Sequence, residues 1–275
     1  MTCYLLIEYS RPTAPSPDEL VMAVVGQGDK MLNDPYIGFA ERYDWMKGQN
    51  PGRELFFRKL FESHKVSKVL DCACGTGHDL ILFHSFGCDV SGSDLSDAML
   101  SQAFKNIAKL KIDIPVKKAD YRDLEKHYDS HFDAVVCLSN ALNEALGDTE
   151  TIRALCSIKA VLRTGGILVF DQGQSDASMQ NPPKFAPVVN TRNYSRMFVM
   201  DYVGNLMKVD IFDFTHTEDC LDFNHTRVQV QIRLKADWDR ILGKAGFTKI
   251  EYFGDWSFNQ YEKEKSKRLI AVVQN

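Results

Sequence analysis

VSKVLDCACGTGHDLILFHSFGCDVSGSDLSDAML, residues 66–100, is the stretch whose reading decides the fold. An apolar run (Val66, Val69, Leu70) meets an acid at Asp71, turns through Gly75 and Gly77, and continues with Leu80, Ile81 and Phe83 at helical spacing. That pattern predicts strand, glycine turn, helix. A second short strand begins at Cys88 and ends at Asp94. The spacing suits a βαβ unit that holds a nucleoside: the glycines let backbone approach the ligand, and Asp94 accepts both ribose hydroxyls.

Outward from this unit, the alternation continues. A helix capped by Ser96 carries Met99, Leu100 and Ala103, and a strand then brings Val116 to Asp120 and Tyr121. Phe132 to Leu138 reads as a strand buried on both faces. The helix 149–162 stops at Arg163-Thr-Gly-Gly166, and Ile167 to Asp171 is a further strand. Strands alternating with helices predict an α/β fold: a Rossmann-like, mostly parallel sheet with helices on both faces. After Asp171 the alternation breaks down. Residues 172–190 are polar and turn-rich, and period-two segments at 198–202, 207–214 and 227–234 predict an inserted antiparallel sheet after the fifth strand.

The expected organisation is a flexible tail over residues 1–30 and a cofactor-binding core with N-terminal lid helices over 31–173. An antiparallel substrate-capping sheet over 174–234 and a C-terminal helix and strands over 235–275 complete it. In the lid, Leu55, Phe56, Leu60 and Phe61 mark a core-facing helix, whereas Tyr36, Tyr43 and Arg53 read either as core or as a lid over a ligand.

Composition narrows the function. The 275 residues carry a formal charge of -4, without the global basic footprint of a nucleic-acid binder. No apolar run reaches the roughly 20 residues of a membrane span, and the first ten residues lack the pattern of a signal peptide, so a cytoplasmic location is expected. Seven cysteines (3, 72, 74, 88, 137, 156 and 220) show no metal-ligand spacing and read as reduced core thiols, with no metal expected.

The order of these motifs resembles class I S-adenosylmethionine-dependent methyltransferases. Asp71-Cys-Ala-Cys-Gly-Thr-Gly77 is similar to their first glycine motif, Asp94 to the ribose acid, Asp120-Tyr121 to the adenine contact, and Arg163-Thr-Gly-Gly166 to the turn before the fifth strand. Within that group, DCACGTGHDLILF, SDLSDAML and FDAVVCLSNAL look most like glycine and sarcosine N-methyltransferases. The resemblance implies S-adenosyl-L-methionine as cofactor, S-adenosyl-L-homocysteine as product and a small-molecule methyl acceptor; nucleic acid and membrane are not implied as partners, and a homo-oligomer is left open. It further implies that Tyr36 and Arg53 touch the methionine end, Arg53 through its carboxylate. Ala73 would meet the amino group through backbone, Leu138 would lie beside the sulfonium, and Leu95 and Met99 would belong to the cofactor site. Asn140 would position the acceptor, while Glu144 stands where such enzymes commonly have histidine.

Methyl transfer to an amine needs an unprotonated lone pair, and Tyr43, Tyr194 and Tyr202 are candidates to orient it. A hydroxyl or thiol acceptor would need a base, from Glu144, His78 or His225. One departure bears on the acceptor. Glycine-methylating enzymes follow the fifth strand with an arginine that grips the amino-acid carboxylate, and Gly173 stands there in this chain. Either Arg192, Arg196 or Arg233 takes that part, or the acceptor is not a free amino acid. The alternatives are a small-molecule O-methyltransferase and a non-catalytic cofactor-binding module.

Overall fold

The structure, a computed structural model, describes residues 34–46, 48, 50–129, 131–216 and 221–275. The tail expected over residues 1–30, with Cys3, and also Cys220, lie outside the described residues.

Among the described residues, seven strands form one sheet in the order β10-β11-β5-β4-β1-β2-β3, and four form a second in the order β6-β7-β8-β9. The first comprises β1 (Lys68–Asp71), β2 (Asp89–Asp94), β3 (Val116–Lys118), β4 (Phe132–Cys137), β5 (Leu162–Gln172), β10 (Lys249–Phe253) and β11 (Leu269–Gln274). Strands β1 to β5 run parallel, and β11 is inserted antiparallel between β5 and β10. The register sets Asp71 beside both Gly92 and Val136, so the carboxyl ends of β1, β2, β4 and β5 share one edge. Ligands of open parallel sheets bind at that edge.

The helices are α1 (Ala40–Tyr43), α2 (Pro51–His64), α3 (His78–Ser85), α4 (Asp97–Lys109), α5 (Asp148–Val161) and α6 (Lys235–Lys244). Helix α2 starts where Asn50 accepts the Arg53 N–H and Pro51 needs no donor; α4 starts where Ser96 accepts the Met99 N–H. Alternate strand residues feed opposite faces. Val69, Ala134, Val136 and Val169 pack with Phe57, Leu80, Phe83 and Leu100 of α2 to α4, while Leu70, Val135 and Phe170 pack with Leu155, Ile158, Trp238 and Ile241 of α5 and α6. Each fully buried side chain of this size contributes about 1.5–3 kcal/mol relative to exposure.

The second sheet comprises β6 (Phe185–Asn190), β7 (Tyr194–Val203), β8 (Leu206–His216) and β9 (Leu221–Gln231), all antiparallel. Its inner residues Met200, Met207, Val209, Ile211 and Val230 pack with Phe39 and Ala40 of the lid segment and Met99 of α4.

Four expectations are corrected. Strand β6 lies in the stretch read as turns; Pro187 and a register shift beside it interrupt the alternation there. The expected strand 227–234 ends at Gln231, because Leu234 opens α6. Strand β3 stops at Lys118, leaving Asp120 and Tyr121 on the loop beyond it. Strand β5 begins at Leu162, and the 163–166 segment is a bulge within it, between the Phe132–Leu162 and Ala134–Ile167 pairs.

Candidate active site

At the end of β1, Asp71 is buried and accepts the Ala73 N–H at 3.2 Å. The Ala73 carbonyl is the group of this residue that can accept from an amino group. The chain turns through Gly75 (φ +52°) and Gly77 (φ +80°) into α3. A side chain at Gly77 would press within 3.3 Å of Ala103, whereas Gly75 has nothing within 4 Å of where a Cβ would stand. One glycine allows close helix packing and the other keeps a space open.

Asp94 is held by backbone. Its Oδ2 accepts the Gly75 N–H at 2.8 Å and its Oδ1 the Ser96 N–H at 2.9 Å. Burial raises its pKa above the usual carboxylate range, outweighing these two amide bonds, which lower it. A partly buried carboxylate placed in this way favours further donors, and the paired hydroxyls of a ribose are suitable ones. The open space at Gly75 and the orientation of Asp94 thus fit a nucleoside. Leu95 is exposed beside it, and Met99 is buried in the cluster between α4 and the second sheet.

The lid segment is tied down at both ends. Asp34 accepts the Ser96 hydroxyl at 2.8 Å and the Ala98 N–H at 3.0 Å. Asp44 accepts the Thr76 hydroxyl at 2.5 Å and the Asn106 amide at 2.8 Å. Toward the second sheet, the Phe39 ring lies 4.3 Å from the Arg196 guanidinium and Trp45 meets Tyr194 edge-on at 4.7 Å. Tyr36, Tyr43 and Tyr202 all pack on the apolar cluster that this segment shares with β7 and β8. The contacts of Asp34, Asp44, Thr76 and Asn106 escaped the sequence reading because a polar residue's partner 32 to 64 positions away carries no local signal.

Arg53, expected to meet a cofactor carboxylate, is bidentate on Asp79 at 2.5 and 2.8 Å, with the Phe57 and Trp256 rings each 5.3 Å away. Burial acts to lower its basicity, and the Asp79 charge more than reverses this. Asp120 receives the Arg122 guanidinium and N–H. Although burial acts to raise Asp120, those bonds hold it below the usual range. Tyr121 donates to the Ala141 carbonyl at 3.2 Å, and burial raises its phenol.

The loop after β4 carries backbone strain. Buried Leu138 is followed by Ser139 (φ +60°) and Asn140 (φ +68°), two consecutive non-glycine residues in the left-handed region. Such a conformation costs roughly 1–2 kcal/mol per residue. It is held by Asp171 at the end of β5, whose Oδ1 accepts the Ser139 N–H at 2.8 Å and whose carbonyl accepts the Asn140 N–H at 3.1 Å. Arg268 neutralises the other carboxylate oxygen. Asn140 Oδ1 in turn accepts the Gly173 N–H at 2.8 Å, so the two loops are joined. Asn140→Ala should lower unfolding stability by about 1–3 kcal/mol, through the lost bond and the unfavourable φ; Asn140→Gly should lower it less. Denaturant titration of the two variants measures the difference, and equal losses would contradict the strain.

Glu144 closes the short turn 141–144 and accepts the Tyr36 hydroxyl at 2.6 Å. Its side chain is reached by solvent, yet protein surrounds it on most sides, and that enclosure raises its pKa to about 7.

The second sheet rearranges the remaining candidates. Arg192 is exposed at the turn between β6 and β7. Tyr194 donates to Asp213 at 2.7 Å, and Arg196, a candidate to grip an acceptor carboxylate, is fully buried on the same Asp213 carboxylate at 2.6 and 2.8 Å. An alternating strand hides which polar residue has an ion-pair partner on its neighbour. Tyr202 donates to the Pro183 carbonyl at 2.8 Å. Arg233 is buried and donates to Ala145 O, Gly147 O and Thr151 Oγ1. His225 binds Asp210 and stacks on Phe212, and His78 opens α3. A side chain at Gly173 would meet nothing within 4 Å.

Residues 69–166 match the family model of a methyltransferase domain. The chain is 32% identical over 155 residues to the glycine/sarcosine N-methyltransferase of Aphanothece halophytica, covering 55% of this chain and 58% of that protein. It is 25% identical over 231 residues to the enzyme of the same name from Halorhodospira halochloris, covering 80% and 81%. The chain thus spans little more than half the length of the first of these relatives. Among solved structures, an S-adenosylmethionine-dependent methyltransferase from Clostridium acetobutylicum superposes with a TM-score of 0.76 at 17% identity, covering 87% of this chain and 98% of that one. A sugar N-methyltransferase from a Streptoalloteichus species superposes with a TM-score of 0.65 at 19% identity, covering 100% and 98%.

Proposed function

We propose that this chain, which has the fold of class I S-adenosylmethionine-dependent methyltransferases and carries their methyltransferase domain at residues 69–166, methylates the amine of a small molecule. The observation that carries this reading is the acidic strand edge. Asp71 and Asp94 end two strands there, Asp171, paired with Arg268, lies one residue before the end of a third, and Glu144 follows β4 close to Tyr36 and Asp94. Such a surface favours cationic ligands, and both the cofactor and a protonated amine are cationic.

When bound, S-adenosylmethionine supplies a sulfonium methyl carbon that takes the acceptor's lone pair as the carbon–sulfur bond breaks onto a neutral sulfur. The chain's own residues bind and position. Asp94 takes the ribose hydroxyls, with Leu95 and Met99 alongside, and Ala73 and Gly75 present backbone. Asp120 and Tyr121 border the adenine. Tyr36, Tyr43 and Leu138 would hold the reacting end, and Arg53 keeps unused guanidinium donors for the methionine carboxylate. Asn140 holds the acceptor loop in place, and the tied lid excludes water.

The named relatives support an amine acceptor, and so does the sugar N-methyltransferase among the structural matches. Gly173 favours an amine other than a free amino acid, because a guanidinium is missing where a carboxylate would be gripped and the space is open. Methyl-labelled S-adenosylmethionine, offered with glycine, sarcosine, amino sugars and simple amines beside hydroxyl and thiol acceptors, tests the reading. Amine turnover is the expected result. Turnover of hydroxyls or thiols alone would replace it with O- or S-methylation, and cofactor binding without any transfer would leave a binding module.

A further inference from the structure

Four carboxylates gather at the strand edge, and three of them have defined partners. Asp71 accepts the Ala73 N–H, Asp94 accepts those of Gly75 and Ser96, and Asp171 holds Ser139 and Arg268. Glu144 differs. Its Oε1 accepts the Tyr36 hydroxyl, and among the described residues no cation pairs with it and Oε2 has no partner. It follows the strained loop of Leu138 and Asn140, so the element that would position the acceptor also presents a carboxylate. The groups that face it are Tyr36 from the lid, with Tyr43 next to that, Asp94 from the end of β2 and Tyr121 from the loop after β3.

Resting on the proposed amine methylation, we infer that Glu144 is the base that takes the proton from the acceptor's ammonium, and that Tyr36 tunes it. An N–H bond of the ammonium breaks, the proton forms an O–H bond with Glu144 Oε2, and the electron pair stays on nitrogen as the lone pair that methylation requires. The proton then leaves to solvent through the open side of Glu144. The same carboxylate first attracts the ammonium by charge, so the acceptor class is a protonated primary or secondary amine recognised without a guanidinium–carboxylate pair. Two opposing influences bring Glu144 into the physiological range: enclosure and the Asp94 charge raise it, and the Tyr36 hydrogen bond lowers it, leaving it at about 7.

The test uses the full chain and two variants, Glu144→Gln and Tyr36→Phe. Infrared difference spectra of the cofactor-free protein should show a carboxyl C=O band that titrates near pH 7, disappears in Glu144→Gln and moves to higher pH in Tyr36→Phe. With an amine acceptor, kcat/KM should rise through the same pH, and Glu144→Gln should lower it by about 10²-fold or more while removing that limb. S-adenosylmethionine affinity of Glu144→Gln, measured by calorimetry, should fall far less than kcat/KM does, which separates loss of a base from loss of the cofactor site.

Two results overturn the inference: a Glu144 band titrating near the ordinary carboxylate range, or a Glu144→Gln enzyme that keeps its rate and its limb. A protein that fails to bind S-adenosylmethionine overturns the underlying reading, and the proton step with it, whatever the infrared titration shows.

Discussion

Asp94→Asn should weaken S-adenosylmethionine binding by about 10²- to 10³-fold, read directly by calorimetry at pH 7.5. Hydrogen bonds to a charged acceptor contribute about 1.5–3 kcal/mol each, and a ribose offers two donors. The amide is a poor replacement for a second reason. Both oxygens of Asp94 already accept backbone N–H groups, from Gly75 and Ser96, so one of them must face the donor –NH2 of the new side chain. The glycine turn would then shift with it. Binding within threefold of wild type would remove Asp94 from the ribose and with it the strand-edge account of the cofactor site.

Gly166→Ala should destabilise the fold by about 3 kcal/mol, at the upper end for an inserted methyl group. The added Cβ would stand 2.9 Å from Arg163 O, 3.0 Å from Asp133 O and 3.1 Å from Phe132 O. All three atoms are backbone, so no side chain can rotate away. A loss of this size lowers Tm by roughly 6–12 °C in a domain of this length. Gly243→Ala is the control with the opposite sign. It sits exposed in α6, with nothing within 4 Å of the new Cβ, and alanine is the better helix former by about 1 kcal/mol. Equal stability of Gly166→Ala and wild type would mean that the bulge in β5 relaxes freely.

Glu144 also has a consequence for stability that does not depend on catalysis. An acid raised in the folded state binds its proton more tightly there than in the unfolded chain, so its contribution is fully present below the ordinary carboxylate range and is lost as pH rises through about 7. In ligand-free protein, Glu144→Gln should therefore gain Tm relative to wild type between pH 5 and pH 8. A relative Tm that is flat with pH would contradict the raised carboxyl.

Most of the α/β core was legible because its signals are local. The apolar runs at Val69 and Val135 alternate between two buried faces, Ser96 caps its helix within three residues, and Gly75 and Gly77 mark a turn by the conformation they permit. The second sheet was legible in three of its four strands. Strand β6 was not, since Pro187 and a register shift break the period that identifies a strand.

Sequence by itself determined the order of the parallel strands' motifs, the acid at Asp94 and the glycine turn before α3, because each depends on residue type and spacing along one short segment. Tertiary structure alone decided which charges are engaged. It set Arg53 on Asp79, Arg196 on Asp213, Arg233 under the 145–151 segment and Tyr36 on Glu144, pairs separated by 17 to 108 positions. A carboxylate's acidity follows from what surrounds it in space, and Glu144 acquires its surroundings only when the lid, the end of β2 and the loop after β4 come together.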